Sequence, residues 1–195
     1  MADDSAVSDI DVIRRHLGAL VEALSRRDRK SRQQSAHAIA ELAKASPSDL
    51  LPYIDDIVDA IERPEAQTRW EVLDALTSVC RIDAQAAAKG FEGAEAALFD
   101  EESGLLRFTA FRYFAKLAED PALSSRAWPL LDEALQCYHG DPEFAGMLDA
   151  CVELAQKSDE PSVRKALAER MKFDAHSGKG PLSYRAKQVI DICNR

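Results

Sequence analysis

Residues 69–80 read RWEVLDALTSVC, and residues 107–118, a full 38 positions on, read RFTAFRYFAKLA. Laid over one another, the two stretches share Arg at the first place, an aromatic at the second, and large apolar residues at the fifth and eighth. Three more segments take the same register: RQQSAHAIAELA from Arg32, FAGMLDACVELA from Phe144 and RAKQVIDICNR from Arg185. The starts are separated by 37, 38, 37 and 41 residues. The fifth place holds Ala36, Leu73, Phe111, Leu148 and Val189, and the eighth holds Ile39, Leu76, Phe114, Cys151 and Ile192. Apolar residues three and four apart mark one face of an α-helix, so each segment reads as an amphipathic helix of one repeating unit.

A helical unit recurring at a fixed period cannot bury its apolar face alone and must stack on its neighbours. The expectation is an all-α fold, a right-handed α-solenoid of about five two-helix repeats in a single domain over residues 1–195. The segments above are its second helices, starting near 32, 69, 107, 144 and 185. The first helices fill the intervals. Ile10, Ile13, Leu17, Leu20, Val21 and Leu24 form a stripe with a capping-box start at Ser8 and Asp11. Ser46, Pro47 and Asp49 predict another helix start, before Leu50, Ile54, Ile57 and Ile61. Asp141-Pro142 and Asp159-Glu160-Pro161 predict further starts. Gly90 and Gly93 predict a kink or break between Asp83 and Phe99, because each glycine costs about 1 kcal/mol relative to Ala inside a helix.

Asp28-x-x-x-Arg32 at an inter-helix turn, followed by an Ala-rich helix, resembles the HEAT repeat, and DEPSVRKAL from Asp159 has the same wording. The resemblance covers nearly all of the chain. It implies that second helices line a concave face and first helices a convex one, and that Asp28 and Arg32 pair structurally.

A net charge of −9 and a pI near 5.0 disfavour general affinity for nucleic acid or anionic membrane, since the summed field repels phosphate. Apolar content of 46% with 8 Gly and 8 Pro describes a folded chain. The start, MADDSAVSDI, has no basic region before an apolar core, and no apolar run approaches the roughly 20 residues that span a bilayer. Cys80, Cys137, Cys151 and Cys193 form no CxxC pair and fall at apolar helix positions, as small buried hydrophobes in a reducing compartment. The expected location is the cytoplasm. Cys137, His139 and Cys151 lack a fourth zinc ligand and metal-site spacing, so no metal or other cofactor is expected. Residues 177–180, SGKG, lack the remaining features of a phosphate loop and read as the loop before a last helix that has Pro181 in its first turn.

Sorted by layer, the charge is uneven: first-helix segments carry −16 and second-helix segments, with their leading turns, +7. The basic run SRRDRKSR, residues 25–32, then reads as a turn at the edge of a basic layer rather than as a targeting signal. Trp70 and Phe108 share the second place of their repeats, and Asp74 and Arg112 the sixth. Aromatic residues beside arginines are the material of binding hot spots. The expected contact patch is therefore Arg69, Trp70, Asp74, Arg107, Phe108 and Arg112, on a non-catalytic adaptor whose concave face holds an acidic protein or peptide. Trp70-Glu71-Val72-Leu73-Asp74 also resembles the W-[DE]-x-x-D segment of HEAT-like DNA alkylation repair glycosylases, which implies nucleic-acid binding or base excision as the alternative. Phe108 stands where that resemblance requires an arginine. The expected partners further include a second copy of the chain, joined through the solenoid ends.

Overall fold

The computed structural model of the chain describes residues 9–195, in which every regular element is helical. The capping box expected at Ser8 lies outside the described residues. Two compact units divide the chain, one of residues up to Gly93 and one of residues Ala94–Arg195.

In the first unit, α1 (Asp9–Arg15) and α2 (Leu17–Ala23) form the first helix of repeat 1. The stripe from Ile10 to Leu24 reads as one helix, yet the helix is interrupted at His16, whose φ of −104° and ψ of 7° leave the α region. The second helix is α3 (Arg29–Ala45). Asp28 caps it by accepting from the Ser31 amide at 2.7 Å. That role corrects the expected Asp28–Arg32 pairing: the Arg32 guanidinium turns away, to Glu65 one repeat on. Repeat 2 opens differently from expectation. Residues Pro47–Tyr53 form a 3₁₀ segment without a side-chain cap from Ser46, and α4 (Ile54–Asp59) follows. Pro52, which has no amide hydrogen to donate, sits inside that segment and favours the tighter turn over a continuous α-helix. A 3₁₀ turn at Ala60–Glu62 leads to α5 (Ala66–Val79), which packs on α3.

The break predicted around Gly90 is present. Residues Ala84–Ala87 form α6, Ala88–Gly90 a 3₁₀ turn and Phe91–Leu98 α7. In the second unit α8 (Gly104–Leu117), α9 (Pro121–Cys137), α10 (Phe144–Lys157), α11 (Pro161–Ser177) and α12 (Gly180–Cys193) follow. α8, α10 and α12 pack side by side as second helices, with α9 and α11 set against them. Pro161 and Pro181 lie in the first turns of their helices, as expected. At Asp141-Pro142 the chain makes turns instead, and α10 starts two residues later with Glu143 at its cap.

The repeat register is a register of burial. All five fifth-place residues, Ala36, Leu73, Phe111, Leu148 and Val189, have no solvent exposure. Ile39, Leu76, Phe114 and Cys151 at the eighth place are likewise buried, while Ile192 is only half-buried. Aromatic volume collects in the second unit, where Phe111, Tyr113, Phe114 and Phe144 are fully enclosed. Of the cysteines, Cys80 and Cys151 are buried and Cys193 is half-buried, but Cys137 is exposed at the end of α9, a correction to the expectation that all four are buried.

Candidate functional site

The arginines at the first place of the repeat register have structural tasks. Arg32 Nε donates to Glu65 Oε2 at 3.1 Å, its Nη1 donates to the Arg26 carbonyl, and both members of the ion pair are buried. In the second unit the equivalent Arg107 donates from Nε to Glu143 Oε1 at 2.7 Å and from Nη1 to the Asp100 carbonyl at 2.9 Å. Its guanidinium also lies 4.7 Å from the centre of the Tyr138 ring. Glu65 and Glu143 are the cap residues of α5 and α10. Arg32 and Arg107 thus each tie their own second helix to the cap of the next. Contacts one repeat apart recur elsewhere, as ion pairs of Arg14 with Asp49, Lys89 with Asp55, Arg170 with Asp132 and Arg185 with Asp149, and as a hydrogen bond between His37 and Glu71. Much of the layer charge counted in the sequence is therefore spent inside the fold.

The six residues of the expected patch fall into two sets of three. In the first unit Arg69, Trp70 and Asp74 lie on α5 and are half-buried. Arg69 Nε donates to the Ile61 carbonyl at 3.0 Å, and Asp74 lies 3.5 Å from Lys44 Nζ. Asp74 thereby extends a polar row across α3 and α5 in which Glu71 meets His37 at 3.0 Å and Lys44 meets Glu41 at 2.7 Å. Contact with Glu41 and Asp74 holds the Lys44 ammonium above its ordinary pKa, the Glu41 hydrogen bond being the largest cause.

In the second unit Arg107, Phe108 and Arg112 are half-buried on α8. Arg112 stands 5.8 Å from the centre of the Phe108 ring, at the outer limit of a cation–π contact. The ring rests on α10 at Gly146, where a Cβ would come within 2.7 Å of Phe108 Cε2. Gly146 is the residue that lets α8 present this aromatic ring so close to the neighbouring helix. The structure thus brings Phe108 and Arg112 together and turns Arg107 towards Glu143. Sequence reading missed Gly146, Lys44 and Tyr138, since each acts across the helix packing and none belongs to a recurring place. Gly146, a glycine inside the second-helix segment of residues 144–155, was the available signal.

The remaining chemistry is structural. His139 Nε2 lies 2.7 Å from the buried Asp174, and its ring is flanked by Phe144 and Phe173. Among the described residues no three His, Cys, Asp or Glu side chains are placed to hold a metal ion. Among them, too, no helix is long and apolar enough to cross a membrane.

No protein-family model matches the chain, and neither does any curated protein. Solved structures do. A designed armadillo repeat protein in complex with the peptide (KR)4 superposes with a TM-score of 0.73 at 14% identity, over 96% of this chain and 88% of that one. Computationally designed armadillo repeat proteins for modular peptide recognition give 0.67 at 14% identity, over 90% and 81%. The archaeal HEAT-like repeats protein of Thermococcus onnurineus NA1 gives 0.51 at 14% identity, over 95% and 90%. At such identities the likeness speaks for the fold: the chain has the HEAT/armadillo-like, all-α solenoid repeat fold.

Proposed function

We propose that the protein is a non-catalytic adaptor that holds a protein or peptide on its second-helix layer. The observation that carries this reading is the Phe108–Arg112 pair, a half-exposed aromatic and a cation set against Gly146. Aromatic rings supply contact area at low entropic cost and arginines supply orientation. Arg69, Trp70 and Asp74 offer the same kinds of group on α5, and Arg107 fixes the start of α8. Two of the structural neighbours, by name, recognise peptides, one of them the basic peptide (KR)4. The second-helix segments here carry +7, so the sign of the partner is reversed and an acidic peptide is favoured. The setting is a protein complex in the cytoplasm.

Screening an array of acidic, neutral and basic peptides tests the reading. Acidic peptides should bind, and Phe108→Ala and Trp70→Ala should each weaken that binding by about tenfold or more, the range of a modest hot spot. Unchanged affinity in both variants, or preference for basic peptides on these residues, defeats it.

A further inference from the structure

The fold divides the basic run SRRDRKSR, residues 25–32, into used and unused charges. Arg32 is buried and held by Glu65, and Asp28 is taken up as the cap of α3. Arg26 serves the fold through its carbonyl, which accepts from Arg32. The side chains of Arg26, Arg27, Arg29 and Lys30 are exposed, and among the described residues none of them meets an acid. By contrast Lys44, Arg107, Lys116 and Arg185 of the second helices are each paired with a carboxylate.

The four cations stand where the fold disfavours them. Arg29 and Lys30 occupy the first turn of α3, a 17-residue helix with no acid in that turn. The positive end of the helix dipole opposes a cation there, and like charges this close repel one another. The usual arrangement is seen in α1 and α4, whose first turns carry Asp9 with Asp11 and Asp55 with Asp56. A departure from local electrostatics that no internal contact offsets marks residues kept for something other than folding. An incoming anion relieves both the dipole and the repulsion.

The surroundings select the kind of anion. Gln33, on the same face of α3 one turn after Arg29 and Lys30, shares the second place of the register with Trp70 of α5, which packs on α3. The run therefore borders the Arg69, Trp70 and Asp74 set. Its surplus of three positive charges is confined to residues 26–30 of a chain whose net charge is −9. A nucleic-acid duplex or an anionic bilayer extends beyond such a patch and meets the negative field of the rest, whereas a short acidic segment meets the patch alone.

We propose that Arg26, Arg27, Arg29 and Lys30 form a docking edge for a run of Asp or Glu residues in a protein partner. The proposal rests on the reading of an acidic partner and names where in the first unit its charge is met.

The full chain is titrated calorimetrically with a capped Gly-Glu-Glu-Glu-Glu-Gly peptide at about 50 mM and about 500 mM salt, conditions of weak and strong screening. The quadruple variant Arg26→Gln, Arg27→Gln, Arg29→Gln, Lys30→Gln should bind the peptide about tenfold or more weakly at the lower salt, the sum of four individually weak exposed pairs, and should match the unaltered protein at the higher. A control of equal charge, Arg81→Gln, Lys157→Gln, Lys165→Gln, Lys187→Gln, removes four exposed cations elsewhere and should change the affinity by less than about threefold. Because the four docking cations repel one another, the denaturant midpoint of the first variant should hold or rise. Equal weakening in the two variants, a lowered midpoint in the first, or tighter binding of a short DNA duplex or of phosphatidylserine vesicles than of the peptide overturns the proposal. Affinity that falls in Trp70→Ala and Phe108→Ala but not in the quadruple variant overturns it and leaves the adaptor reading standing. The reverse pattern upholds the docking edge and defeats the aromatic patch, and a peptide that does not bind at all defeats both.

Discussion

At the scale of the residue, a buried ion pair is most informative when one member is removed. Arg32 and Glu65 are both buried and tie two second helices together. Glu65→Ala leaves a buried guanidinium without its counter-charge and should cost about 3–5 kcal/mol in chemical denaturation. Arg32→Met with Glu65→Leu removes both charges and should cost far less, or nothing. Equal loss in the single and double variants would mean that the pair is not the source of the stability. The cysteines give a second residue-scale outcome. Burial pushes the Cys151 thiol well above its ordinary pKa, with a smaller contribution from Cys193, so it stays protonated and out of reach. Burial also raises Cys193. Brief treatment of the native protein with iodoacetamide should label the exposed Cys137 first, and Cys151 only after unfolding, as read by peptide mass mapping.

At the scale of the element, the sequence shows where helices lie better than how they are interrupted. The second helices were legible because their apolar places recur at a fixed period, and the fully buried fifth place is the physical reason they recur. The first helices were read less well. A continuous stripe from Ile10 to Leu24 gave no sign of the interruption at His16, and Ser46-Pro47 looked like an ordinary α-helix start although Pro52 lies inside the 3₁₀ segment that forms. Gly93 shows how a right expectation can rest on part of the cause. Glycine weakens a helix, and the helix is broken nearby, but Gly93 itself lies within α7 where a Cβ would meet Ile61 Cγ2 at 2.8 Å. Ile61 is buried and cannot yield. Gly93→Ala should therefore destabilise by about 1–3 kcal/mol through overpacking, outweighing the roughly 1 kcal/mol that helix propensity returns. Denaturant midpoints decide the sign. Gly146→Ala meets the tip of a half-exposed ring instead, so it should move Phe108 with little loss of stability, visible as a change in the Phe108 ring resonances.

At the scale of the whole molecule, charge governs behaviour in solution more than it governs the fold. With a net charge of −9 and a pI near 5.0, the protein should be least soluble near pH 5 and gain solubility on either side, as turbidity against pH would report. The excess of negative charge on the first-helix segments was countable in the sequence; which charges are free was not. Arg69, Trp70, Asp74, Arg107, Phe108 and Arg112 are legible from their places in the repeat, but the carboxylate partner of Arg107 and the seat of Phe108 on Gly146 come from residues 36 and 38 positions away. The sequence by itself determined the helical repeat, its register and its buried places, because burial on stacked helices imposes a period that one chain displays along its length. Only the tertiary structure decided which arginine is a clamp and which aromatic is presented. Pairing depends on distances between helices one repeat apart, and no periodicity records those distances.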